Sequence, residues 1–408
     1  LSASRNHFLR CIGCGAEYEE LPSSYTCPSC GDLLEAILRK RPEPDILASL
    51  RGASLGVWSF RDMLPVGPEH EPVSLDEGGT PLLELKRLAA PLGPDKVYVK
   101  YEGQNPTGSF KDRGMTVAVT LAKGRGAKAL ICASTGNTAA SLSAYAARAG
   151  SRAVVLIPRG LVARGKLVQA MAYGATVLEV DGNFDRALEL VVKLAAKRRD
   201  LQLLNSINPY RLEGQKTLAY ELVVQLGGRV PDYVVLPVGN GGNISAIWKG
   251  FKEIRGWGLI DRLPRLVAVQ AEGAAPIATA FNSGWDEVRP LERPSTVATA
   301  INIGRPVLWK KALRALRESS GIAVTVTDEE IMRARERLAS KEGILVEAAS
   351  AAPLAALGKL KGIMGPDATV VCVATGSGLK DRELLERRLE NPTVVRGEEE
   401  LTGILSAL

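Results

Sequence analysis

Histidine is almost missing from this chain, with two in 408 residues, His7 and His70. His7 precedes the first cysteine and His70 lies in a stretch rich in Pro and Glu, so an imidazole general base is close to excluded. Long apolar runs are missing too. None approaches the roughly 20 residues that a bilayer requires, and the opening Leu-Ser-Ala-Ser-Arg-Asn-His lacks the apolar centre of a signal peptide. The expectation is a cytoplasmic protein with no membrane partner. Neither an internal repeat nor a low-complexity segment is found.

What is present is a hydrophobic content of 46%, enough for a large core divided over two or three compact units. A net charge of +7 favours anionic partners through a long-range field and does not separate nucleic acid from small phosphorylated molecules. The densest basic cluster, Arg39-Lys40-Arg41, is short and runs straight into Pro and Glu. It reads as a solvated linker, and no nucleic-acid partner is expected. A basic chain with a zinc ribbon could still be a nucleic-acid-binding module, which salt-dependent binding without a yellow cofactor would reveal.

Four of the six cysteines lie together, as Cys11-Ile-Gly-Cys14 and Cys27-Pro-Ser-Cys30, each pair followed by Gly. Two sulfurs spaced by two residues grip one side of a metal ion, and two such knuckles complete the tetrahedron that zinc prefers. With all four positions taken by thiolate, that zinc would be structural. A pair of disulfides is the rival reading, and a cytoplasmic setting disfavours it. Cys132 and Cys372 stand alone in apolar runs and read as core thiols.

From about Glu77 the pattern becomes βα. Short, nearly continuous apolar runs at 129–133, 153–157, 176–180 and 201–204 predict buried parallel strands, with helices at 139–149, 166–173 and 185–197 between them. A second set of strands is predicted at 233–236, 265–270, 324–326 and 369–373, with helices around 245–251, 311–318, 328–340 and 348–360. A helical extension is expected over 46–64. The fold class is therefore α/β, with two open parallel sheets and a small four-cysteine knuckle ahead of them. Ligands of such sheets bind beyond the carboxyl ends of the strands.

Several polar motifs fall at those ends. Lys111 stands behind Phe110 where a strand-like run, 97–101, passes through a turn into a helix; partial burial there would lower its pKa, as Schiff-base chemistry requires. A solvated lysine at a helix start is the plainer reading. Pro237-Val-Gly-Asn-Gly-Gly-Asn243 combines Gly239, Gly241 and Gly242 with Asn240 and Asn243 at a strand-to-helix turn, either an anion cup or a tight turn shaped by glycine. Ser134-Thr-Gly-Asn-Thr138 suits a carboxylate or ordinary helix capping. Thr375 is a turn hydroxyl beyond the strand at 369–373. Arg211, in Asn205-Ser-Ile-Asn-Pro-Tyr-Arg211, presents a planar fork suited to phosphate, or is a surface arginine on a loop.

Together these segments resemble the signature set of the pyridoxal-phosphate enzymes with the tryptophan-synthase β-type fold. Glu77-Gly-Gly-Thr-Pro81, Asn105-Pro-Thr-Gly-Ser-Phe-Lys-Asp-Arg113 and Asn205-Ser-Ile-Asn-Pro-Tyr-Arg-Leu-Glu-Gly-Gln-Lys216 resemble its threonine synthase branch in particular. The likeness covers about residues 75–380. It implies pyridoxal 5'-phosphate tethered to Lys111, its phosphate held by Gly239, Asn240, Gly241, Gly242 and Asn243, and its pyridine nitrogen facing Thr375. It implies that Ser134, Thr135, Asn137 and Thr138 hold the substrate carboxylate, with Asn137 also touching the cofactor's phenolic oxygen. Asn205, Ser206 and Arg211 would take the phosphate of O-phospho-L-homoserine, and Lys111 would do the proton work.

Many relatives carry histidine where this chain has Ser377, so that ring's role elsewhere does not transfer. The cysteine spacing sets a knuckle at 1–40 and the composition a tail at 391–408; the likeness further implies a large domain made of 45–125 and 214–390, a small α/β domain at 126–213, and a homodimer. The alternatives within the fold are a serine or threonine ammonia-lyase and an enzyme using O-phosphoserine, such as cysteate synthase.

Overall fold

A computed structural model describes residues 6–22, 24–89, 94, 96–160, 167–198, 200–386 and 393–406. Along the chain its strands are β1 (His7–Cys11), β2 (Glu17–Tyr18), β3 (Leu34–Leu38), β4 (Leu82–Glu84), β5 (Lys96–Tyr101), β6 (Ala129–Ala133), β7 (Arg152–Pro158), β8 (Thr176–Val180), β9 (Leu201–Leu203), β10 (Tyr233–Pro237), β11 (Arg265–Ala271), β12 (Ile322–Val326) and β13 (Thr369–Ala374). They form a three-stranded sheet in the order β2-β1-β3, a six-stranded sheet β12-β11-β10-β13-β5-β4, and a four-stranded sheet β8-β7-β6-β9.

The first sheet is antiparallel and carries the cysteine knuckles. The four-stranded sheet is parallel throughout. In the six-stranded sheet only β4 runs against its neighbour.

The apolar runs explain these sheets. Every residue of β10 is buried, and β13 is buried after its first residue, as strands covered on both faces must be. β8 differs from expectation: it is half-buried or exposed throughout, because it is an edge strand of its sheet. Cys132 and Cys372 are buried, as their apolar surroundings predict.

Residues 46–64 do not form one helix. A single turn, Ile46–Ser49, and a 3-10 segment, Val57–Met63, are separated by Gly52 at φ +78° and an extended Gly56, which break helical continuity. Lys166, the expected start of the helix over 166–173, lies outside the described residues; the helix spans Val168–Ala172. Among the described residues no helix is long and apolar enough to cross a membrane.

Three strand ends lead through loops into helices that organise the cleft. Lys111–Gly124 follows β5, Asn137–Ala149 follows β6, and Gly242–Gly256 follows β10. The first is locked by Arg113, which is fully buried and pairs with Glu102 at 2.6 Å and with Glu221 at 2.6 Å; Lys100 joins Glu221 at 2.8 Å. Its charge is thus compensated inside the core rather than by water.

This helix crosses the helix Pro209–Gln215 backbone to backbone. A Cβ on Gly214 would fall 1.7 Å from the Arg113 carbonyl oxygen, and one on Gly114 would fall 2.4 Å from that of Arg211. Only glycine permits this approach.

Candidate active site

Lys111 is the first residue of its helix, and its position is built from the preceding loop. Asp112 accepts from the Thr107 N–H at 2.7 Å and from the Thr107 hydroxyl at 2.6 Å, closing the turn. The Phe110 N–H donates to the Thr375 carbonyl at 2.9 Å, which ties the loop to the end of β13. The Lys111 amine lies 4.2 Å from the centre of the Phe110 ring.

Lost hydration lowers the pKa of Lys111 to about 7; the Arg211 cation pushes the same way and Glu347 opposes both. Much of the amine is then unprotonated near neutral pH and able to attack a carbonyl.

Glu347 was not anticipated from the sequence. Its carboxylate accepts from the Asn137 amide at 3.0 and 3.2 Å, and the Thr375 hydroxyl lies 3.4 Å away. Burial raises its pKa to about 7, helped by Asp381 and opposed by Asn137, Lys380 and Lys111. The structure therefore gathers Lys111, Asn137, Thr375 and Glu347. Thr375 also pairs with the Ser350 hydroxyl at 3.0 Å. Glu347 gave no signal in the sequence because it stands alone before the small residues of the helix Ala348–Leu357.

Ser134, Thr135 and Thr138 lie half-buried around the start of the Asn137 helix, beyond the carboxyl end of β6. The Ser134 hydroxyl accepts from the Gly136 N–H at 3.3 Å, a local turn bond; the N-cap is Gly136, so neither Ser134 nor Thr135 caps the helix.

The turn 239–243 joins β10 to its helix. Gly241 has φ +83°, and a Cβ there would meet the Ala312 Cβ at 3.0 Å and the Leu308 carbonyl oxygen at 3.1 Å. Asn240 accepts from the Leu308 N–H with its carbonyl at 3.0 Å and from the Val307 N–H with its side chain at 3.2 Å. The Asn243 amide is buried, and neither its oxygen nor its nitrogen has a protein partner. A helix N-terminus closed by glycine, with an unpartnered amide beside it, fits a phosphate. Gln215 spans the space between Gly114 and Gly242, which brings this turn close to the first turn of the Lys111 helix.

Arg211 is buried, not on the surface. One nitrogen donates to the Leu204 carbonyl at 3.1 Å, and its Nε has no partner. Among the described residues no carboxylate pairs with it, and burial lowers its pKa to about 10. An uncompensated buried guanidinium calls for an anionic ligand.

Asn205 has a second use: its amide accepts from the Ala133 N–H at 2.9 Å and donates to the Ala133 carbonyl at 2.8 Å, clamping the end of β6. Asn205, Ser206 and Asn240 line one small cavity, so the two phosphate-suited segments adjoin.

At the other end of the chain the sulfurs of Cys11, Cys14, Cys27 and Cys30 lie within 4.8 Å of one another. Cys11 and Cys30 are 3.4 Å apart, and Cys14 and Cys27 are 3.6 Å apart. Four sulfurs bound tetrahedrally to zinc at about 2.3 Å would stand roughly 3.8 Å apart, so the cluster fits such an ion.

An α/β chain with a lowered-pKa lysine, a glycine-closed anion cup and a hydroxyl at a neighbouring strand end has the parts of a pyridoxal-phosphate enzyme. The pyridoxal-phosphate dependent enzyme family matches residues 73–376. The threonine synthase of Methanocaldococcus jannaschii is 53% identical over 94% of this chain and 95% of its own length. That of Mycobacterium leprae is 51% identical over 80% of this chain and 88% of its own. Maize serine racemase superposes with a TM-score of 0.64 at 22% identity, over 76% of this chain and 91% of that one, which shows the shared fold. The chain belongs to the pyridoxal-phosphate dependent enzymes, within their threonine synthase branch.

Proposed function

We propose that this protein converts O-phospho-L-homoserine and water to L-threonine and phosphate. The observation that carries the reading is the buried, unpaired Arg211 beside the lysine amine, because an ammonia-lyase handling unphosphorylated substrates needs no second phosphate site. Pyridoxal phosphate, when bound, supplies an electron sink that acidifies hydrogens on nearby substrate carbons.

Lys111 would hold the cofactor through its amine; once free, that amine takes the α proton and then a β proton, and the γ carbon–oxygen bond breaks as phosphate leaves. One proton is returned at the γ carbon, the hydroxide of water adds at the β carbon with its proton going to the phosphate, and the other proton is returned at the α carbon. Gly239, Asn240, Gly241, Gly242 and Asn243 hold the cofactor phosphate, while Thr375 faces the pyridine nitrogen. Ser134, Thr135, Asn137 and Thr138 hold the substrate carboxylate. Arg211, with Asn205 and Ser206, holds the departing phosphate, whose developing charge the guanidinium stabilises.

Cys11, Cys14, Cys27 and Cys30 hold a structural zinc. Residues 45–125 with 214–390 make the large domain, and 126–213 the small one. The protein acts as a cytoplasmic homodimer; the exposed apolar side chains of Leu401, Ile404 and Leu405 on the helix Glu398–Ser406 support a covered C-terminal face.

Borohydride reduction of the yellow holoenzyme, followed by mass mapping, tests the tether: the label belongs on Lys111, and a label elsewhere refutes the site. Release of inorganic phosphate with threonine from O-phospho-L-homoserine tests the reaction. Ammonia and a keto acid from threonine, with no turnover of the phosphorylated substrate, would refute it.

A further inference from the structure

The cysteine ribbon is built into the walls of the cleft. On one side, three cations of the helix Trp309–Glu318 reach its loops. Lys310 pairs with Asp32 at 2.6 Å, the buried Lys311 donates to the Leu34 carbonyl at 2.7 Å, and Arg314 donates to the Ile12 carbonyl at 3.1 Å. The residues just before that helix are Val307 and Leu308, whose N–H groups both bond Asn240. The ribbon is thus one short helix removed from the glycine turn 239–243.

On the other side it touches the segment that carries Arg211. The Tyr25 hydroxyl accepts from the Leu203 N–H at 2.8 Å and donates to Gln202 at 3.3 Å, just ahead of Asn205. His7 meets the Tyr210 hydroxyl at 3.1 Å, next to Arg211. Between the two sides, Leu33 packs with Leu308, Ala246 and Leu212 in one apolar cluster, with Ile12 and Ile207 against it.

We propose that the ribbon is a metal-held brace that keeps the two phosphate sites of the cleft in register. This rests on the reading of 239–243 and Arg211 as those sites. The contacts Ile12, Asp32, Leu33 and Leu34 lie between the ligand cysteines or within four residues after the last of them. Leu9, Leu34 and Ala36 anchor β1 and β3 in the core, but Cys14 and Cys30 at the two knuckle turns are exposed, so the ion supplies the restraint on the turns that carry Ile12 and Asp32. Loss of the ion loosens those turns, which weakens the bond from Arg314 to the Ile12 carbonyl and the pair between Lys310 and Asp32. The start of the helix Trp309–Glu318 then loses part of its support, and with it Val307 and Leu308, which bond Asn240 in the glycine turn.

The test uses the full chain loaded with pyridoxal phosphate. Metal is removed by a chelator under reducing conditions, metal content is measured, and affinities for pyridoxal phosphate and inorganic phosphate are titrated. A double variant, Lys311→Met with Arg314→Met, keeps all four cysteines and decides the matter should the metal-free chain unfold. The expected result is a loss on the order of tenfold in cofactor affinity for both preparations, with weaker phosphate binding. The double variant should keep its metal.

Unchanged affinities in the double variant overturn the proposal, as does a purified chain that holds cofactor tightly with no metal. A wild-type chain that takes up no pyridoxal phosphate would instead refute the reading of the site itself.

Discussion

The Phe110 N–H donates to the carbonyl oxygen of Thr375 at 2.9 Å, so the residue before Lys111 hangs from the end of β13. With the Ser377 N–H, which donates to the Gly108 carbonyl at 2.9 Å, this bond ties the loop ahead of Lys111 to the strand end that carries Thr375. Removing the amine should separate binding from chemistry. Lys111→Ala is expected to show no borohydride-dependent label and a turnover lower by about 10²–10⁴-fold, measured as phosphate release.

The neighbouring carboxylate gives a pH test. With the pKa of Lys111 near 7 in the cofactor-free protein, the rate of pyridoxal phosphate incorporation should rise with pH through about 7 as the amine loses its proton. The ionised Glu347 opposes that lowering. Glu347→Gln should therefore shift the midpoint to lower pH, read from the absorbance of cofactor uptake at several pH values.

Arg211 is expected to contribute to function and not to stability. Replacing a buried, unpaired cation by Met removes a desolvation penalty, so the thermal midpoint should hold or rise. Turnover of O-phospho-L-homoserine should fall by about 10²–10³-fold, as on loss of one oxyanion donor. Arg211→Lys should not restore it, since an ammonium lacks the planar fork.

Arg113 is the opposite case. Its partners are fully buried, and Arg113→Leu would leave Glu102 with no cation and Glu221 with Lys100 alone. The expected loss is about 3–5 kcal/mol in denaturant unfolding.

Gly241→Ala tests the anion cup. A left-handed backbone costs a non-glycine residue roughly 1–2 kcal/mol, and the added methyl would meet Ala312. Weaker cofactor retention on dialysis is the expected outcome.

Much of this arrangement was legible beforehand because buried parallel strands write themselves as apolar runs: β10, β11 and β13 appear within a residue of the ranges expected. The helices Pro209–Gln215 and Thr217–Gln225 were not visible. They bury Arg211, Glu213, Gln215, Thr217 and Glu221, so polar and apolar positions do not separate into two faces. β4 was missed because three residues carry too little periodicity. The motif residues of the site were readable as types. What spacing could not show was that Asn205 spends its amide on Ala133, or that Glu347 would lie against Asn137.

The glycine crossing of the Lys111 and Arg211 helices has a mechanical corollary. Two rods touching at their spines cannot slide or tilt without collision, so the nucleophile and the guanidinium form one rigid jaw. A substrate spanning the two therefore meets a lysine and an arginine whose spacing is set before it arrives.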